Sequence, residues 1–280
     1  MSPELTRQLM TAIDRMPAFP KSVQQVLELT RDLNCAPRDL VQVIERDPVL
    51  TVKILKVVNS AYFGLSRPVT SVNHAVVFLG FNTIKNLALS IAAIGILPSH
   101  NPAGFDIDQY LLHSLSTAGI ARKLARQLDD IDPMDGYIAG LLHDFGKIVL
   151  AQYLPEAFGK AMQISRSGAV SLHQALRETI GIDHASVGAL LVEKWRFPAS
   201  LVSSITHPSD PDAQDTDLSA CVFAANQISK KAQHGFAGNR VVEALPATMQ
   251  KRLGGDLDGL TQGLGDLQPL LEEARLFARV

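Results

Sequence analysis

The sequence predicts an all-α protein folded in two lobes. Apolar residues recur at spacings of three and four almost throughout, alternation with period two is hard to find, and Asp-Pro steps stand where helices should open. A loop-rich stretch, Pro98-Ser99-His100-Asn101-Pro102-Ala103-Gly104, separates the lobes. The expected organisation is a first helical lobe at 1–98, a second at 105–235 and a helical tail at 236–280.

In the first lobe, Val23, Val26, Leu27, Leu29 and Thr30 fit one helix that starts after Phe19-Pro20. Asp47-Pro48 reads as an N-cap followed by proline at the first helical position, opening a helix through Val49, Val52, Ile54, Leu55 and Val58. That helix should stop in Asn59-Ser60-Ala61-Tyr62-Phe63-Gly64, more as a packed corner than as a binding surface. Two apolar helices, 72–79 and 83–97, are broken at Gly80-Phe81-Asn82.

The second lobe opens with a long helix at 107–128. Asp132-Pro133 caps a helix that runs into Leu141-Leu142-His143-Asp144. Further helices are expected at 154–165, 171–179, 184–195, 199–206 and 218–231. The glycine-rich piece 254–265 reads as a loose connection before a last amphipathic helix, 268–280, whose apolar side could pair with another subunit.

Composition narrows the class. With 280 residues, 46% hydrophobic and 19% charged, the chain can bury a sizeable core. The net charge of -2 comes without a basic patch, which argues against direct nucleic-acid binding. Cys35 and Cys221 match no metal-knuckle or disulfide spacing, the pattern of a reduced compartment. The N-terminus lacks a secretory pattern, and the most apolar segment, Leu87 to Leu97, is roughly half of a bilayer span. The expectation is a cytoplasmic protein with no membrane association.

Candidate chemistry centres on Leu141-Leu142-His143-Asp144-Phe145-Gly146-Lys147. Adjacent helical residues point roughly 100° apart, so His143 and Asp144 can meet at one ion only where a helix ends or bends, and Gly146 offers such an end. Lys147 could then aim its ammonium at a phosphate. The plainer alternative is that His143 and Asp144 cap a buried helix. His113, flanked by apolar residues on the preceding helix, is either a hydrogen-bonded core residue or a ligand. Together, His113, His143 and Asp144 form a two-His, one-carboxylate set that suits Fe, Mn or Zn. His184, early in a helix, and His207, before Pro208 at a helix end, either line the same cavity or serve locally at a surface and a helix terminus.

On these residues the chain resembles the HD superfamily of metal-dependent phosphohydrolases. Its first lobe is similar to HDOD (HD-related output domain) proteins through Pro17-Ala18-Phe19-Pro20, Glu45-Arg46-Asp47-Pro48, Asn59-Ser60-Ala61-Tyr62-Phe63-Gly64 and Ala75-Val76-Val77-Phe78-Leu79-Gly80. The likeness continues through Ile180-Gly181-Ile182-Asp183-His184, Val187-Gly188-Ala189 and Trp195-Arg196-Phe197-Pro198. It implies a two-lobed helical HDOD architecture. For the site it implies His113, His143, Asp144 and a late Asp as metal ligands, with His184 matching an extra ligand of two-metal relatives. The late position falls at Asn226, whose amide oxygen can coordinate but brings no charge. His207 stands alone before Pro208, and the Gly-Tyr-Pro stretch of the cyclic-di-GMP phosphodiesterase branch is missing.

The resemblance therefore implies a bacterial signal-transduction module with a degenerate HD-type site. It would act without catalysis, through signalling proteins in trans (two-component or second-messenger systems) or a bound nucleotide. The alternatives are a metal-dependent phosphohydrolase acting on a phosphomonoester or phosphodiester, with a divalent ion as cofactor, and a pure interaction protein.

Overall fold

The computed structural model describes residues 3–29, 36–98, 100–166, 170–210 and 213–279, and these contain helices and no strands. Thr30, Cys35 and Ser99, named above, lie outside the described residues. The helices are α1 (Pro3–Arg15), α2 (Lys21–Leu29), α3 (Pro37–Glu45), α4 (Pro48–Val58), α5 (Val72–Leu79) and α6 (Phe81–Gly95). There follow α7 (Ile107–Ala125), α8 (Pro133–Leu142), α9 (Phe145–Tyr153), α10 (Pro155–Arg166), α11 (Leu172–Ile180) and α12 (His184–Lys194). The last are α13 (Ala199–Ser204), α14 (Asp217–Lys231), α15 (Ala247–Leu253), α16 (Leu257–Leu264) and α17 (Gln268–Phe277). Among the described residues no helix is long and apolar enough to cross a membrane.

The chain divides into two compact units: Ala18–Ile96 with Glu272–Val280, and Met1–Pro17 with Leu97–Leu271. Helix α1 thus groups with the larger unit, where Lys194 Nζ donates to Ile13 O at 2.7 Å and Trp195 Nε1 to Pro17 O at 3.0 Å. These bonds join residues 181 and 178 positions apart, which no local pattern reveals.

In the smaller unit the capping prediction at Asp47 is met. Its Oδ1 accepts from Val49 N at 3.1 Å and Leu50 N at 3.0 Å, with Pro48 in the first turn, and its Oδ2 accepts from Ser22 Oγ at 2.7 Å. The segment after α4 is closed by Asn59, whose Nδ2 donates to Val69 O at 2.8 Å and whose Oδ1 accepts from Val69 N at 2.7 Å. Inside it, Tyr62 and Phe63 meet edge to face at 5.0 Å, although Tyr62 stays 42% exposed. Asn59→Ala should cost about 1–3 kcal/mol in urea unfolding, because two backbone groups of Val69 lose their partner. Gly80, at φ 84°, joins α5 to α6, so α6 starts at Phe81 rather than 83.

The larger unit is built on α7, which packs against α8 and α14. Gly140 of α8 makes the first contact close: a Cβ there would lie 2.9 Å from Ala118 Cα on α7. Ile120, Leu124, Cys221, Ala224 and Ile228 then form one core with Leu245, Met249, Leu260, Leu264, Leu267 and Leu270. The expected loose connection at 254–265 is mostly helix α16, capped by Asp256, which accepts from Gly259 N at 2.8 Å. Glycines weaken the local helical signal, but burial of Leu260 and Leu264 outweighs their propensity cost of about 1 kcal/mol each. On the apolar side of α17, Leu270, Leu271, Ala274 and Phe277 are all buried.

Candidate active site

The bend between α8 and α9 creates the site. Asp132, the expected N-cap, accepts from Met134 N at 2.8 Å and starts α8, which ends at Leu142. Asp144 then caps α9 with φ -102°, ψ 6°, so His143 and Asp144 sit on the break itself. Gly146 does not supply that break, as the sequence suggested. It lies in the first turn of α9, where its missing side chain lets the backbone of α12 approach: a Cβ would fall 1.9 Å from His184 O. This contact brings His184 to Asp144.

Asp144 is the centre, fully buried. His184 Nε2 lies 3.2 Å from its Oδ1, and His143 Nε2 and His113 Nε2 lie 3.3 and 3.6 Å from its Oδ2. Lys147 Nζ is closer than any of these, at 2.6 Å from Oδ2, and it also donates to Ala237 O at 2.8 Å. The expected phosphate clamp is therefore turned inward. Lys147 is 1% exposed and spends its ammonium on Asp144 and a backbone carbonyl, because a buried ammonium needs partners more than a distant anion. Burial raises the Asp144 carboxyl, but the charges of His143 and Lys147 outweigh it and hold the group well below the usual carboxylate range.

The imidazoles differ in what they offer. His143 Nδ1 donates to Gly140 O at 2.7 Å, which turns Nε2 towards Asp144, and that atom has no hydrogen-bond partner. His113 is held on both sides, Nε2 by Asn226 Oδ1 at 3.2 Å and Nδ1 by Ser229 Oγ at 3.2 Å. Burial, the largest influence, pulls His113 well below its ordinary value despite Asp144. His184 is pulled down to about 4 by burial and by Lys147, with Asp144 opposing. His207 lines the same small cavity as His143, Asp144, His184 and Asn226, but both its nitrogens are taken, Nδ1 by Ser209 Oγ at 2.8 Å and Nε2 by Glu243 Oε2 at 3.0 Å. That cavity holds about 30 Å³, room for a water or two rather than a substrate.

The donor atoms of His113, His143 and Asp144 lie within 4.8 Å of one another, a group that could hold a metal ion, and Asp144 Oδ1 and His143 Nε2 have no hydrogen-bond partner. Charge does not fit. One carboxylate is already matched by one buried ammonium, and Asn226 adds no second negative charge. A divalent ion bound here would have to share Asp144 with Lys147.

Sequence reasoning missed several neighbours. Ser229 and Lys230 follow Asn226 by three and four residues on α14, the spacing of one helical face. Lys230 is pulled down to about 8 by burial and Lys147. Burial and the Asp144 charge push the Tyr110 hydroxyl up. A second cluster, His173 with Asp183 and Asp210, carried only the i, i+4 spacing of His173 and Arg177 on α11 as a signal.

Acid should unfold the larger unit early. His184 is held down to about 4, and His173 to about 3 by burial and the facing His207. Between those values and about 6.5 the unfolded chain binds more protons than the folded one, so stability falls as pH drops through that window. The urea midpoint should fall from pH 6.5 towards 4, with a shallower slope in His184→Gln.

Comparison with known proteins places this geometry. The HDOD domain family matches residues 16–211. The chain belongs to the HDOD family. Asn226 lies beyond the matched segment of the HDOD domain, yet the fold delivers it to His113. A protein of Treponema pallidum (strain Nichols) is 26% identical over 226 residues; the match spans 79% of this chain but only 44% of that relative. Among solved structures, an HDOD domain protein of unknown function from Geobacter sulfurreducens superposes with a TM-score of 0.77 at 22% identity, covering 97% of this chain and 95% of that one. A candidate signal transduction protein from Marinobacter aquaeolei VT8 gives 0.76 at 24%, covering 98% of this chain and 65% of that one. A candidate phosphohydrolase from Shewanella amazonensis SB2B gives 0.72 at 23%, covering 97% of both. At such identities the HDOD fold is what these neighbours share.

Proposed function

We propose that the chain is a bacterial, cytoplasmic signal-transduction module that uses its HDOD fold to bind and scaffold partners, without hydrolytic turnover at Asp144. The observation that carries this reading is the Lys147 ammonium 2.6 Å from Asp144 Oδ2, both groups buried: the protein's own cation already neutralises the one carboxylate that a catalytic metal would need. The absence of charge at Asn226 and the 30 Å³ cavity support it. In the smaller unit, neighbouring helices α4 and α5 expose Val49, Val52, Val77 and Phe78 by 65–74%, apolar area that favours partner proteins in trans over solvent. A nucleotide would act on this reading as a bound signal rather than a substrate.

The second reading, a metal-dependent phosphohydrolase, draws on the unpartnered His143 Nε2 and Asp144 Oδ1. The test is hydrolysis of p-nitrophenyl phosphate, bis-p-nitrophenyl phosphate and cyclic dinucleotides with added Mn²⁺, Fe²⁺ or Zn²⁺, beside His143→Ala. The expected result is no metal-dependent rate that separates the two proteins. Turnover that disappears in His143→Ala would overturn the proposal.

A further inference from the structure

We infer that the chain holds a divalent-metal site distinct from the Asp144 centre, formed by His173, Asp183 and Asp210 at the wall of an open cavity. One ligand atom from each lies within 4.8 Å of the others. His173 Nδ1, the nitrogen that would serve the ion, is 3.7 Å from Asp183 Oδ1, close to the ~3.4 Å between ligands around a tetrahedral ion. One nitrogen and two carboxylates suit zinc or manganese.

The supporting elements hold the donors in place. Asp183 is the N-cap of α12, accepting from Ser186 N at 2.9 Å and Ser186 Oγ at 3.0 Å, while the next residue, His184, serves Asp144. His173 stacks on His207 with ring centroids 3.7 Å apart, which fixes its plane. Of the three donors His173 lines a cavity of about 660 Å³, together with Arg177, His207 and Glu243, so the cluster is approached from the His173 side.

Two observations point to a ligand rather than to a closed ionic network. His173 Nδ1 and Asp210 Oδ2 lack hydrogen-bond partners, although the two side chains are only 8% and 9% exposed. Such atoms are costly to bury unless something else completes them. The charge count also differs from that at Asp144. Here two carboxylates face a single guanidinium, Arg177, 3.0 Å from Asp183 Oδ2 and 2.8 Å from Asp210 Oδ1. Burial and the Asp183 charge accordingly push the Asp210 carboxyl above its usual range. Arg177 is 41% exposed and can swing aside, whereas Lys147, 1% exposed, cannot.

Zinc binding by calorimetry, on the full chain and four variants, tests this. Asp210→Asn and His173→Gln should each remove one equivalent or weaken it by roughly 100-fold. Arg177→Gln should tighten the same equivalent, since it removes the competing cation, a gain that a purely structural role for the cluster would not produce. Asp144→Asn should leave this equivalent in place. Unchanged zinc binding in Asp210→Asn and His173→Gln, or no tightening in Arg177→Gln, would overturn the site. Loss in Asp144→Asn alone would place the metal at the central site instead and count against the non-catalytic reading as well.

Discussion

Gly146→Ala is expected to unfold the larger unit or to lower its stability by more than about 3 kcal/mol, whereas Gly159→Ala should raise it by about 0.5–1 kcal/mol. Both glycines lie inside helices, and replacing a helical glycine in open surroundings gains roughly the propensity difference between the two residues. A Cβ on Gly159 meets nothing within 4 Å. One on Gly146 would sit 1.9 Å from His184 O and 2.6 Å from Gly188 N, both backbone atoms of α12. Neither can rotate away, so α9 and α12 would have to part by more than an ångström, opening a packed core. Paired urea unfolding curves measure the contrast. Equal and small effects would mean that the two helices do not meet as described, and that His184 is not held to Asp144 by this contact.

Lys147→Met should be the most revealing change at the centre. It keeps most of the volume and removes the charge, leaving the Asp144 carboxylate fully buried with only imidazoles beside it. Breaking a buried pair from one side costs about 3–5 kcal/mol at neutral pH. The loss of stability in acid should then weaken. With Lys147 present, Asp144 is held low, and its contribution to stability is present above the unfolded carboxylate value and lost in acid. Without the ammonium, burial is opposed only by His143 and His184, so the Asp144 carboxyl rises towards its unfolded value and the variant should lose less stability than the wild type as pH falls. Added Mn²⁺ or Zn²⁺ should raise the melting temperature of Lys147→Met by more than that of the wild type, because only the variant leaves the central carboxylate without its ammonium. Tight, stoichiometric metal at the Asp144 centre of the wild type would contradict the role of Lys147 as built-in counter-ion.

Local chemistry was legible in the sequence. The all-α class, the caps at Asp47 and Asp132, and the break at Gly80 each depend on a few consecutive residues, and the structure has them. The grouping of His113, His143, Asp144 and His184 was also legible, because a family pattern encodes it. The helix α16 was not: its glycines weaken the local signal, and only the distant core of Ile120, Leu124 and Ile228 makes it favourable.

The direction of long side chains was equally hidden. Spacing places Lys147 on a face but does not say whether its ammonium reaches solvent, a phosphate or Asp144. His207 is paired with Glu243, 36 residues away, and the cluster of His173, Asp183 and Asp210 draws on three separate elements. The sequence by itself determined which segments are helices and which residue types stand ready for chemistry. The tertiary structure alone decided which charges meet, because a buried ionic group takes the partner that packing brings within reach, and that partner can come from anywhere in the chain.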